Sequence, residues 1–137
     1  MDDKYQCSIV VRSKVCSLPD LERLMGGMGH AGSHDKDEIH PRGTKREHSV
    51  WRQDARDFGA SFTDQCLQLL SEWGDRCQAA TADPSRTLSA DLDIIIFFYT
   101  YTFGLNLPPA IIQVCAAKGI GIEFSAYPTA RDDQISD

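Results

Sequence analysis

From Tyr5 to Arg12, Cys7, Ile9 and Val11 alternate with Ser8, Val10 and Arg12. A period of two with this β-branched content predicts a first strand with one strongly apolar face. Ser17-Leu18-Pro19-Asp20 then supplies a capping serine, a proline in the first turn and an acid at the capping-box position, and Leu21, Leu24 and Met25 continue at helical spacing. Gly26-Gly27 should stop that helix. Between Gly26 and Glu47 apolar residues almost vanish, leaving Met28 and Ile39, so residues 26–47 are expected to form a long polar, His-rich loop with at most a short edge strand near Asp37 to His40. Val50 and Trp51 then centre a short strand over His48 to Gln53.

Ser61-Phe62-Thr63-Asp64 repeats the capping pattern, and Phe62, Cys66, Leu69, Leu70, Trp73 and Cys77 fall on one face of a long amphipathic helix. Gly74 is expected to loosen that helix beyond Trp73. Thr81 to Ser89 is polar and reads as a connector. Leu92 to Phe103 is nearly continuous in Ile, Phe, Tyr and Thr, as a central strand buried on both faces would be. Leu107-Pro108-Pro109 opens another helix that Gly119 closes, Ile120, Ile122, Phe124 and Ala126 alternate as a last strand, and residues 129–137 read as a frayed acidic tail. The order predicts one α+β domain over residues 1–137. Its sheet should be mixed or antiparallel, with four or five strands and about three helices mainly on one face, reminiscent of ferredoxin-like layouts.

Charge sharpens the functional expectation. The net charge is −6, yet residues 1–58 hold ten bases and ten acids, whereas residues 59–137 hold four bases and ten acids. Such a surface repels phosphate backbones and attracts basic proteins, so a basic protein partner is expected and nucleic acid is not. No apolar run approaches the roughly 20 residues of a membrane span, and Met1-Asp2-Asp3-Lys4 lacks the features of a signal peptide, so the expected location is cytoplasmic. The five cysteines form no CxxC pair and read as reduced core residues.

Candidate chemistry concentrates in the polar loop. His30, His34, His40 and His48 lie there among Asp35, Asp37 and Glu38, and His30 and His34 have the spacing of ligands on one helical face. The glycines between them oppose a helix and no HExxH pattern is present, so His30, His34 and His40 are weak candidates and no metal or other cofactor is expected. A metal-dependent or His-based hydrolase using this loop remains the alternative from another class; His40 or His48 beside Glu47 and Asp54 could supply acid–base chemistry. No nucleophile elbow, P-loop or dinucleotide fingerprint occurs, and no catalytic residue is assigned. Arg42, Lys45, Arg46, Arg52 and Arg56 surround Trp51, but Glu47, Asp54 and Asp57 interleave with them and Trp51 reads as core. Tyr99, Tyr101 and Phe103 could line a small-ligand pocket, although core packing explains them more simply.

The strand Tyr5 to Arg12, the helix end Leu21-Glu22-Arg23-Leu24-Met25-Gly26, the lone Trp51 on a strand, the long Phe62 to Cys77 helix and the closing strand Ile120 to Tyr127 carry a resemblance. Together they are similar to a family of small bacterial α/β domains of unknown function, themselves similar to immunity proteins encoded beside secreted or contact-delivered toxins. The His-rich stretch replaces the compact turn usual after the Leu-Gly helix end. The resemblance implies a non-enzymatic partner that blocks a toxin, and the acidic charge makes a basic, nuclease-like toxin the expected target. Its contact residues would come from the acidic half, with Asp83, Asp91, Asp93 and Glu123 as the partner-binding candidates.

Overall fold

The computed structural model describes residues 4–99 and 104–129. Strand β1 spans Lys4–Ser13, helix α1 Leu18–Met25, β2 Ser49–Asp54, α2 Phe62–Thr81, β3 Leu88–Phe98, α3 Pro109–Lys118 and β4 Gly121–Pro128. The caps act as the residue types dictate. Ser17 and Asp20 form the reciprocal capping box, the Ser61 hydroxyl accepts from the Asp64 N–H, and α1 and α3 end on Gly26 and Gly119 in the left-handed conformation that glycine adopts at no steric cost.

The four strands form one mixed sheet in the order β2-β1-β3-β4. β1 pairs antiparallel with both β2 and β3, while β4 runs parallel to β3, joined to it through α3. All three helices lie on one face. α2 crosses β1 and β3, α1 packs on β2 and α2, and α3 packs on α2 and β4. Between the layers sit Cys7, Ile9 and Val11 of β1, Leu92, Ile94 and Ile96 of β3, and Leu69, Leu70 and Cys77 of α2, all buried. Trp51 is fully buried; its indole N–H donates to the Gly27 carbonyl at 3.0 Å, and its ring meets that of Trp73 edge-on at 5.1 Å.

The α+β fold matches the sequence expectation, with differences in detail. A helix separates every pair of consecutive strands, so the central hairpin of a ferredoxin-like layout is absent. α2 continues past Gly74 to Thr81: a Cβ at this buried glycine would stand 2.9 Å from Lys118 Cδ, so the small residue is where α3 packs closely on α2. The connector contains a 3-10 turn over Pro84–Arg86, and β3 starts at Leu88, four residues before the apolar run. The far end of that run, residues 100–103, lies outside the described residues, as does the acidic tail beyond Thr129; Thr129 itself donates its N–H to the Phe98 carbonyl.

The polar loop is not slack. His34 and Val50 exchange backbone hydrogen bonds, the His30 N–H donates to the Arg52 carbonyl, and Asp35 accepts from the Leu18 N–H and the Ser49 hydroxyl. The expected edge strand near residues 37–40 reduces to a single bridge between Ile39 and Lys45. With so few apolar residues the segment cannot build a core of its own; its polar groups instead satisfy the outer edge of β2 as a strap.

Candidate functional site

The face of the sheet opposite the helices presents charge. Strand register places side chains there in rows. Asp54, Ser8, Asp93 and Glu123 stand in one row across all four strands, and Arg52, Val10, Asp91 and Gly121 stand in the next. Arg12, two residues beyond Val10 on β1, shares this face. Three of the four residues expected to contact a partner, Asp91, Asp93 and Glu123, therefore converge. Asp83 does not join them; it caps the 3-10 turn, where hydrogen bonds from Ser85 and the nearby Arg86 hold its carboxyl below the ordinary value.

Two guanidinium groups tie the rows together. Arg12 reaches Asp91 at 3.1 Å and Glu123 at 3.7 Å. Arg52 reaches Asp54 at 2.9 Å and Asp93 at 3.8 Å, and also donates to the Ser8 hydroxyl at 3.0 Å, which in turn donates to Asp54 at 2.7 Å. Four carboxylates against two guanidiniums leave this lattice two charges negative. Burial raises the carboxyl groups of Asp91 and Asp93 above the ordinary carboxylate value. Glu123 adds to the rise at Asp91 and Arg12 opposes it; at Asp93, Arg52 opposes the rise and Glu123 adds to it. Desolvation leads both shifts, so an incoming cation would meet carboxylates that water solvates poorly.

Gly121 has a steric part in the lattice. A Cβ at this position would stand 2.2 Å from Asp91 Oδ1, so the Asp91 carboxylate lies over β4 in space that only glycine leaves. Further down the face, Phe97 and Tyr127 stack at 6.1 Å. The sequence reading overlooked Arg12, Arg52, Ser8 and Asp54 as members of the site. The signal was present in the alternation of β1, which sends Ser8 and Arg12 to the face opposite Cys7, Ile9 and Val11.

Three of the four histidines make structural contacts. His30 Nδ1 accepts from the Asp54 N–H at 3.0 Å, and its Nε2 lies 2.8 Å from the Gln53 amide nitrogen. His40 Nδ1 accepts from the Arg42 N–H at 3.0 Å. His34 approaches Arg46 at 3.4 Å, and burial together with that guanidinium lowers its pKa. Among the described residues no three His, Cys, Asp or Glu side chains gather closely enough to hold a metal ion. Of the aromatic trio Tyr99, Tyr101 and Phe103, the last two lie outside the described residues.

The five cysteines are free thiols, all buried except the half-buried Cys16; burial pushes Cys77 up to about 12 and Cys115 up to about 11. No described helix is long and apolar enough to cross a membrane. Neither a protein-family model, nor a curated protein, nor a solved structure matches this chain.

Proposed function

We propose that this domain is a non-enzymatic binding protein that receives a basic protein partner on the open face of its sheet, in the manner of an immunity protein that neutralises a toxin. The observation that carries this reading is the under-compensated carboxylate lattice of Asp54, Asp91, Asp93 and Glu123 around Arg12 and Arg52, on the sheet face that, among the described residues, no helix covers. A lysine or arginine of the partner inserted between Asp91, Asp93 and Glu123 would supply the missing charge. Steering by such a face acts mainly on the association rate and weakens as salt screens it.

The test is co-expression with the product of the adjacent gene, the toxin candidate. Co-purification and protection of cells are expected, and both should fall when Asp91 and Glu123 are changed to lysine. Failure to bind or protect, or binding indifferent to both reversals, would reject the proposal. Asp83→Lys, remote from the lattice, should have no effect.

A further inference from the structure

The two edges of the sheet are treated differently. The outer edge of β2 is closed by the strap, through backbone bonds from His30 and His34 to Arg52 and Val50. β4 ends the sheet on the other side, and among the described residues no backbone group pairs with its outer edge. An eight-residue edge left open is a template for another strand unless charge, proline or a bulge blunts it. Here Glu123 is the single charge and Pro128 stands only at the end. Two large apolar side chains also stand exposed on this strand: Phe124 is 52% exposed on the helix side and Tyr127 is 53% exposed on the open side. Phe124 borders a shallow groove of about 300 Å³ with Ile96, Leu105 and Ala126.

We infer that β4 pairs antiparallel with β4 of a second copy of this chain, about a twofold axis at Phe124, to make a continuous eight-stranded sheet. A twofold perpendicular to the sheet requires opposed residues to share a face, which limits the choice of register. With Phe124 facing Phe124 of the second copy, Ile122 faces Ala126 on the helix side, while Glu123 faces Ser125 and Gly121 faces Tyr127 on the open side. The helix-side pairs are compatible, aromatic on aromatic and aliphatic on aliphatic, and Glu123 opposite Ser125 sets no like charges together on the open side. Moving the axis to Glu123 sets two glutamates directly opposite. Moving it to Ser125 places Pro128 against Ile122 and leaves Phe124 over the small Ala126. Charge and shape therefore favour the axis at Phe124 over those at its two neighbours.

Sedimentation of the full chain from about 1 μM to about 1 mM should show a concentration-dependent dimer. Phe124→Lys should give a monomer with unchanged unfolding behaviour, because the side chain is half exposed and two opposed lysines would repel across the axis. Register is read at Ser125. Ser125→Lys, facing Glu123 of the second copy twice, should tighten the dimer by about three- to tenfold, and Ser125→Glu should loosen it by a similar factor. A chain monomeric throughout the range, or a dimer indifferent to Phe124→Lys, overturns the inference. So does a loosening by both Ser125 variants, which would place Ser125 opposite itself. A monomer that loses a different protein on Phe124→Lys would assign the edge to a foreign strand and likewise reject self-pairing.

Discussion

Replacing Asp93 by asparagine should leave the domain as stable as before, or up to about 1 kcal/mol more stable at neutral pH, although the change removes an ion pair. Arg52 Nη1 stands 3.8 Å from Asp93 Oδ2. Two unit charges at that separation attract by about 4 kcal/mol at an effective dielectric of about 20. Against this stands the cost of desolvating a carboxylate whose side chain is only 12% exposed, which is again several kcal/mol. The raised Asp93 carboxyl shows that burial outweighs the guanidinium. Asparagine keeps the shape and an acceptor oxygen, and Arg52 keeps Asp54 at 2.9 Å and Ser8 at 3.0 Å, so no charge is stranded.

The pH dependence has a definite sign. A carboxyl whose folded pKa lies above its unfolded value binds its proton more tightly in the native state, so its contribution is most favourable in acid and is lost as pH rises from the unfolded value through the folded one. The advantage of asparagine should therefore be present at neutral pH, shrink as pH falls through the raised folded value, and be gone by the unfolded value of about 4. Urea unfolding of both proteins across that range measures it. A destabilisation of more than about 1.5 kcal/mol at neutral pH, persisting in acid, would mean that Asp93 is held favourably and that the account of the open face is wrong.

Trp51→Ala should cost about 3 to 5 kcal/mol in urea unfolding, and Trp73→Ala about 2, because Trp51 is fully buried whereas Trp73 is half-buried and packs edge-on against it; equal costs would contradict the packing. Gly121→Ala should displace the Asp91 carboxylate from over β4, breaking its contact with Arg12 and destabilising the domain by about 1 to 3 kcal/mol; a neutral substitution would show that the carboxylate has other space. His34 should titrate in an NMR experiment with a midpoint below 6.5, and its contribution to stability should be lost as pH falls through that value, since the unfolded chain then binds the proton more readily; a midpoint above 6.5 would contradict its burial beside Arg46.

Periodicity disclosed most of the fold. Cys7, Ile9 and Val11 announced a strand with one buried face, the capping serines marked where α1 and α2 begin, and the glycines marked where α1 and α3 end. Asp91 and Asp93 were legible as acidic positions but not as neighbours of Glu123, because β3 and β4 are joined through a helix and only their register brings the carboxylates together. The strap was legible as a loop, but its role along β2 was hidden for a related reason. A run of His, Asp and Gly has the composition of a functional loop, yet those groups here satisfy the backbone of β2, and nothing local distinguishes a side chain that binds a ligand from one that binds the next strand. Gly74 was likewise read as a weak point in a helix, when its missing Cβ is what lets Lys118 pack alongside.

The open face also bears on why the chain retains a costly arrangement. A sheet covered on one side needs only a solvated second side, which scattered threonines, lysines and glutamates could supply without desolvating any charge. This chain instead buries Ser8, nearly buries Asp93 and leaves two arginines to compensate four acids, and burial raises the carboxyl groups of Asp91 and Asp93. Stability alone would favour removing that charge. On the proposed reading a partner's cation offsets that cost, so the same feature that makes Asp93→Asn harmless to folding should make it harmful to binding. The pairing of those two outcomes in one variant, stability kept and partner affinity lost, is what separates a recognition surface from ordinary surface charge.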